Sequence, residues 1–301
     1  MDNYSRILAE VLVVLGTYPT ITFTLRQMYY RLVAKQVIPN TLNEYKKLSR
    51  YMVKARENGE VDDDRFEDRA RRVLGTGDTG YGSGEKFIEA QKERFLDSYK
   101  HFSYRQWLNQ EEYLEVWLEK DALSTLFNQV ANPLNVHTCP ARGYPSYSYV
   151  MKAVERFWRA EKPIVILYFG DYDPSGLNIP ENLIKRFRQY GQMDEDEISI
   201  ERIALNIKQI RQYDLPPAPA KKSDSRFASF VMETGSDDVV ELDALEPNVL
   251  QELIKDAITN HIDIDLWNAI VEKSDRMREK LKTVFDDADI DIEDVEEEED
   301  D

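Results

Sequence analysis

The sequence predicts an α/β protein in which a helical, winged-helix-like N-terminal domain precedes a mostly parallel sheet with helices on both faces. Three observations support this. From about residue 113 onward, short apolar strand-like segments alternate with helical patterns, the order that builds βαβ units. Residues 4–57 instead hold three short helical patterns joined by tight turns, as in helix-turn-helix and winged-helix units. Between the two parts, Gly75-Thr-Gly-Asp-Thr-Gly-Tyr-Gly-Ser-Gly84 breaks the periodicity. No strand precedes this run and no Gly-Lys-Ser/Thr follows it, so it reads as a flexible linker and not as a phosphate loop.

Taken in order, residues 4–15 form the first expected helix. Thr24 caps a second that runs to about Lys35 and is closed by the Pro39-Asn40 turn. A third spans Thr41 to about Glu57 and stops at Asn58-Gly59. In this third helix Leu42, Tyr45, Leu48 and Met52 make an apolar stripe, while Lys46, Arg50 and Lys54 repeat at i, i+4 and i+8. The basic stripe is either a solvated face or a row of phosphate contacts. Glu67 to Arg72 adds three more arginines. A helix is expected over 85–100, strands near 113–118, 134–139, 163–170 and 198–204, and helices near 121–131, 146–160, 175–190 and 207–213. A proline-rich loop at 215–220 leads into Lys221-Lys222-Ser-Asp-Ser-Arg226, and helices over 247–261 and 265–284 follow. The expected division is a DNA-binding domain over 1–74, a linker over 75–85, the sheet domain over 86–285, and an acidic tail over 286–301.

A formal charge of −18 argues at first against a nucleic-acid partner, but its distribution matters more. Asp286 to Asp301 carries twelve acidic residues and no basic one, leaving −6 for the rest, and residues 1–75 hold thirteen Lys/Arg against ten Asp/Glu. DNA binding stays open. The tail is expected to be disordered, as either a solubilising or a DNA-mimicking, partner-docking segment. The lone Cys139 excludes an intramolecular disulfide and fits a reducing cytoplasm. No stretch approaches the roughly 20 apolar residues of a membrane span, and no signal-peptide pattern opens the chain.

Chemistry concentrates where Ile164-Val-Ile-Leu-Tyr-Phe-Gly170 ends in Asp171-Tyr-Asp173-Pro-Ser-Gly176. A buried parallel strand runs into two carboxylates, and Asp173-Pro174 reads as an N-cap followed by proline at the first helical position. Open α/β sheets place ligands at the carboxyl ends of their strands. Upstream, Tyr113-Leu-Glu-Val-Trp-Leu-Glu119-Lys120-Asp121 is a second short strand ending in acid. If the two strands are neighbours, Glu119, Asp171 and Asp173 meet at one edge, and such a cluster calls for a divalent cation. A calcium-loop reading fails: Asn182 stands where its twelfth-position Glu belongs, and a strand precedes the loop. His101, His137 and His261 show no metal-ligand spacing and read as structural.

With a Glu after one strand and Asp-x-Asp after a later one, the chain resembles the Toprim (Rossmann-like) domain of topoisomerases, primases and certain nucleases. More closely, it resembles the A subunit of topoisomerase VI and the related meiotic double-strand-break protein, especially compact phage- and bacterium-encoded members of that lineage. Glu119-Lys120-Asp121 and Gly143-Tyr144-Pro145 look like that family's segments, and Arg26-Gln-Met-Tyr29-Tyr30 looks like its Arg-x-x-Tyr-Tyr motif. The resemblance spans about residues 20–60 and 110–205. It implies that Tyr30 is a nucleophile forming a 5′-phosphotyrosyl DNA link. It also implies that Arg26 holds the phosphate, that Mg²⁺ (or Mn²⁺ in its place) is bound by Glu119, Asp171 and Asp173, and that, in a homodimer, the tyrosine of one subunit works with the acidic cluster of its partner, so that both strands of duplex DNA are cut. Glu119 is a further metal ligand or a general acid/base. A separate ATPase subunit drives strand passage in relatives, and a bacterial or phage-infected cytoplasm, at the nucleoid, is the implied location. Helical spacing independently sets Tyr29 on the apolar face with Leu25, Met28 and Leu32, and directs Tyr30 toward Arg26. Arg142, Lys221, Lys222 and Arg226 are further candidate DNA contacts, although a solvated loop explains the last three equally well. The alternatives are a water-using Toprim nuclease with a structural Tyr30, and a non-catalytic DNA-binding module.

Overall fold

The computed structural model describes residues 2–66 and 79–286. The run of Arg69, Arg71 and Arg72, the glycines up to Asp78 and the acidic tail beyond Asp286 lie outside these residues. The chain divides into two compact units: Met1–Arg71 with Glu111–His261, and Arg72–Gln110 with Ile262–Asp301. This packing groups the chain differently from the linear division expected above. The N-terminal helices join the sheet in one unit, because the helix over Leu25–Ala34 packs against the 240–246 segment; the helix over Gly84–Asp97 joins the last helix in the other.

In the first unit, α1 (Asn3–Thr17), α2 (Leu25–Ala34) and α3 (Leu42–Glu57) pack together through Ile7, Val11, Met28, Leu32, Leu48 and Met52. Thr24 caps α2 as expected, and Gln27 completes a reciprocal capping box. Thr41 caps α3. The α3 stripe differs from expectation at Leu42, which is 67% exposed. Leu42 is the first helical residue, beyond the reach of α1 and α2, and Ala55 replaces it in the buried set. The only strand-like element here, among the described residues, is the bridge between Phe23 and Phe66.

The sheet is built from β1 (Tyr113–Leu118), β2 (His137–Pro140), β3 (Ile164–Phe169) and β4 (Ile198–Ala204), in the order β2-β1-β3-β4 with every pairing parallel. β3 is buried along its whole length, as its six apolar residues require. Crossovers run through α5 (Ser124–Ala131), α6 (Tyr147–Ala160) and α7 (Pro174–Gly191). Trp117, Ile166 and Tyr168 form a core with Val150 and Phe157 of α6 and Ile179, Leu183 and Phe187 of α7. The pleat sends alternate residues to the other face, where Phe169 meets Phe127 of α5 edge-on, with centroids 4.9 Å apart.

Beyond β4 come α8 (Ile207–Gln212), a two-residue ladder of β5 (Ala218–Pro219) with β6 (Asp238–Val239), and α9 (Phe227–Thr234) between them. Val240 bridges to Tyr172, a 3₁₀ turn covers Leu242–Ala244, and α10 (Pro247–Thr259) packs beside α5.

In the second unit, α4 (Gly84–Asp97), capped by Ser83, is paired with α11 (Ile264–Asp286). Phe95 meets Phe285 and Trp107 meets Trp267, and Gln110 exchanges hydrogen bonds with Asp263. Among the described residues no helix is long and apolar enough to cross a membrane.

Candidate functional site

The chain builds β2 outward from β1, then returns to the other side of β1 for β3 and β4, so strand order reverses between β1 and β3. Crevices at such reversals, beyond the strands' carboxyl ends, are where open α/β sheets bind ligands. Glu119 follows β1 and Asp171 follows β3, and these strands are neighbours in register, Leu118 beside Phe169. The Glu119 N–H donates to the Phe169 carbonyl at 2.9 Å. The Asp171 N–H donates to Glu119 Oε2 at 3.1 Å. Two turns after adjacent strands thereby lock together, as the sequence required but could not show.

Asp173 is the N-cap of α7, its Oδ1 accepting from the Gly176 N–H at 2.6 Å, with Pro174 at the first helical position. Gly176 has no room for a side chain: a Cβ there would stand 2.2 Å from the Asp171 carbonyl oxygen and 3.1 Å from Glu119 Oε2. Asp171 Oδ1 accepts from the Leu242 N–H at 2.8 Å. The buried Arg202 of β4 donates to the carbonyls of Asp171 and Gly176, each at 2.6 Å, and so fixes the loop that carries both aspartates. Burial, then the charges of Asp171 and Asp173, push Glu119 up to about 7. Burial also raises Asp171, against the pull of Lys120.

Lys120 supplies the positive charge inside this edge. Its ammonium lies 3.1 Å from Asp171 Oδ1, 2.7 Å from Glu241 Oε2 and 3.5 Å from Asp243 Oδ2. Burial alone would lower its pKa, but Asp243, Asp171 and Glu241 hold it above the usual lysine range. Arg26 on α2 pairs with Glu241 and lies 3.9 Å from Asp243. Arg26 was expected to stand ready for a phosphate; in the structure its partner is a carboxylate.

Tyr29 and Tyr30 are both buried, at 4% and 5% exposure. Tyr29 directs its hydroxyl to Asn40 Oδ1 at 3.0 Å and to the Thr41 carbonyl at 3.1 Å, which fits a packing role. The Tyr30 phenol lies within electrostatic reach of Arg26, Glu241 and Lys120. Burial first, then the Glu241 charge, push it up to about 12, against Arg26 and Lys120. The expectation that Tyr30 projects toward Arg26 agrees with this; its low exposure was not anticipated. It arises because the 240–246 segment covers α2.

Among the described residues, no group of three or more His, Cys, Asp or Glu side chains stands ready-made to hold a metal. Glu119 and Asp171 nevertheless meet through the Asp171 N–H, and Asp173 lies on the same loop as Asp171. Glu119 Oε1, Asp171 Oδ2 and Asp173 Oδ2 have no hydrogen-bond donor among the described residues, and Gly176 packs closely against both Asp171 and Glu119. An all-carboxylate donor set of this kind suits Mg²⁺ or Mn²⁺.

Lys46, Arg50 and Lys54 are all exposed on α3, with Lys54 4.4 Å above the Tyr4 ring. Arg142 is exposed but pairs with Asp121 at 2.7 Å. Lys221 and Lys222 are exposed, whereas Arg226 pairs with Asp224 at 3.0 Å and donates to the Tyr144 hydroxyl. Tyr144 in turn donates to Asn178 on α7 at 2.6 Å, so the Gly143-Tyr144-Pro145 segment is held beside the helix that Asp173 caps. His261 pairs with Glu112 at 2.7 Å, while His101 and His137 are exposed.

Sequence reasoning missed Lys120, Arg202, Glu241 and Asp243. Val240-Glu-Leu-Asp243 offered one signal, acids alternating with apolar residues next to a short strand, but nothing local told which carboxylate another element would meet. Neither family models nor characterised proteins yield a match to this chain.

Proposed function

We propose that this chain is a Mg²⁺-dependent DNA transesterase of the topoisomerase VI A-subunit and meiotic double-strand-break type, with a winged-helix-like part bearing Tyr30 and a Toprim-like part bearing the acids. The observation that carries the reading is the meeting of Glu119 and Asp171 across the strand-order reversal. Tyr30 Oη attacks the phosphorus of a DNA phosphodiester and the bond from phosphorus to the 3′ oxygen breaks. The phenol loses its proton and the departing oxygen gains one, leaving a 5′-phosphotyrosyl link and a free 3′-hydroxyl. Because one phosphodiester replaces another, resealing needs no external energy.

Arg26 and Lys120 offset the charge of the phosphate. Glu119, with a pKa raised toward neutrality, is suited to donate the proton to the 3′ oxygen. Asp171 and Asp173 would hold Mg²⁺ or Mn²⁺, which would supply charge to stabilise developing oxyanions; where Glu119 is the third ligand, it is so in place of the acid role, since the ion-bound carboxylate carries no proton. Lys46, Arg50, Lys54, Arg142, Lys221, Lys222 and Arg226 would steer duplex DNA through its phosphates. A homodimer would cut the two strands, a separate ATPase subunit would serve strand passage, and a cytoplasmic, nucleoid-associated location follows from the substrate.

The burial of Tyr30 favours a second reading, a metal-dependent Toprim nuclease in which water attacks and Tyr30 is structural. The neutralisation of the acids by Lys120 favours a third, a non-catalytic DNA-binding module. Incubation with supercoiled plasmid and Mg²⁺ or Mn²⁺, followed by denaturant trapping, separates them. The transesterase gives a protein–DNA adduct mapped to Tyr30 and lost in Tyr30→Phe. Cleavage that survives Tyr30→Phe without an adduct marks the nuclease, and no cleavage, alone or with an ATPase partner, marks the module.

A further inference from the structure

The second unit builds no core of its own. Among the described residues its two long helices, α4 and α11, bury one apolar side chain between them, Ile270. The shorter α10 of the first unit buries Leu250, Ile254 and Ile258. A helix with an apolar stripe gains its stability from the element that covers the stripe. On α4, Phe87 and Phe95 stand eight residues apart on one face and stay 47% and 49% exposed, although Phe95 meets Phe285. On α11, Leu266, Met277 and Val284 recur at intervals that keep them on one face, and Val284 is 64% exposed. That face lies beside the one that turns Trp267, Ser274 and Arg278 to Trp107, Tyr104 and Phe102. The adjoining segments outside the described residues hold little to cover these stripes: Val73 and Leu74 in 67–78, and Ile290, Ile292 and Val295 among eleven acids in 287–301.

Charge says what the cover is. A chain of −18 repels its own copy, but α11 carries five acids against five bases and α4 four against three. The charges of α11 are also polarised along its length. Ile264–Glu272 holds two acids and no base, whereas Lys273–Asp286 holds five bases and three acids. Laid antiparallel on a second copy, the acidic half of each α11 meets the basic half of the other about a two-fold axis. Leu266 and Val284 are equally distant from the middle of the helix, so the same arrangement sets Leu266 of each copy beside Val284 of the other. We infer that α4 and α11 form a self-association surface on which a second copy of this chain docks, α11 against α11 in antiparallel fashion with both α4 helices alongside, as a four-helix bundle. The exposed parts of Tyr81, Phe87, Phe95, Ile264, Leu266 and Val284, with the stems of the charged residues around them, come close to the roughly 800 Å² per partner of a stable interface. The proposed reading calls for two copies; this names the surface that joins them, and it stands whether or not the chain cuts DNA.

The test is sedimentation equilibrium of the full chain over a concentration series, in EDTA and without DNA. The wild-type chain should dimerise. Val284→Arg and Phe87→Arg, both at exposed positions that the fold tolerates, should each weaken association about tenfold or more. Glu272→Lys and Lys280→Glu should each weaken it by several-fold, and the double variant should recover it, because an antiparallel pair brings these two residues of different copies together. Circular dichroism checks that each variant is folded. A wild-type chain that stays monomeric throughout the series overturns the inference. So does a dimer that folded Val284→Arg and Phe87→Arg leave intact, which would move the contact to another surface without touching the transesterase reading. Failure of the double variant to recover association overturns the antiparallel arrangement. A dimer dissolved by these variants, from a chain that forms no covalent DNA adduct, would uphold the surface and sink the transesterase.

Discussion

Glu115 and Glu119 lie on one strand and at its end, yet the protein treats them in opposite ways. Glu115 is wholly buried in the middle of β1. Arg156 of α6 grips it with two nitrogens at 2.6 and 2.9 Å, and Tyr113 and Trp117 each donate to it at 2.9 Å. Every oxygen is satisfied by fixed donors, and Cys139, whose thiol burial pushes upward, completes a closed pocket. Glu119 receives one backbone N–H and two carboxylate neighbours. The mid-strand acid is a structural element, complete within the chain. The edge acid keeps like charges beside it, which the proposed divalent ion would offset.

The largest effect comes from breaking the closed pocket. Glu115→Ala leaves Arg156 without its partner and should cost ~3–5 kcal/mol in urea unfolding, while any stabilisation by Mg²⁺ persists in the folded fraction. A loss under about 1 kcal/mol would mean that Arg156 finds water instead of a void. Next, Gly176→Ala drives a methyl group into the Asp171 carbonyl. It should cost ~1–3 kcal/mol and remove the Mg²⁺-dependent rise in melting temperature, since the two loops can no longer close. A variant of wild-type stability that still responds to Mg²⁺ would show that the cradle is not where the ion sits.

The edge should behave in the contrary sense. Glu119→Gln removes a carboxylate whose ionised form burial and like charges disfavour, so at about pH 8 it should stabilise the metal-free protein by on the order of 2 kcal/mol. It should also erase the Mg²⁺ response; a destabilised variant would refute the contrast with Glu115. The smallest effect is the pH dependence of that response. A folded pKa of about 7, above the usual 4.5, gives stability that is fully present below the unfolded pKa and lost as pH rises through the folded one. The divalent ion binds the ionised form and offsets the loss. Thermal shifts with Mg²⁺ should therefore be larger at about pH 8 than at about pH 5.5, with protons released on binding. A shift independent of pH would place the ion away from Glu119.

Much was legible because local rules agreed with the fold. Thr24, Thr41 and Asp173 each announced a helix start, and each is the N-cap observed. The six apolar residues of β3 and the acid-ending β1 marked the strands that matter. Leu42 misled because periodicity does not know where a neighbouring helix ends. Arg26 misled for the complementary reason, since its partner Glu241 is 215 residues away.

The sequence by itself located the first three helices, the strands of the main sheet and the helices between them, though not α9 or the β5–β6 ladder, and it placed three carboxylates after two apolar strands, because capping, turn chemistry and hydrophobic period act over a few residues. Only the tertiary structure decided that β1 and β3 are neighbours, that Lys120 stands among Asp171, Glu241 and Asp243, and that Tyr30 on α2 lies within electrostatic reach of Lys120 and Glu241. Those outcomes follow from strand order and from long-range charge pairing inside a low-dielectric edge. Neither leaves a periodic trace along the chain.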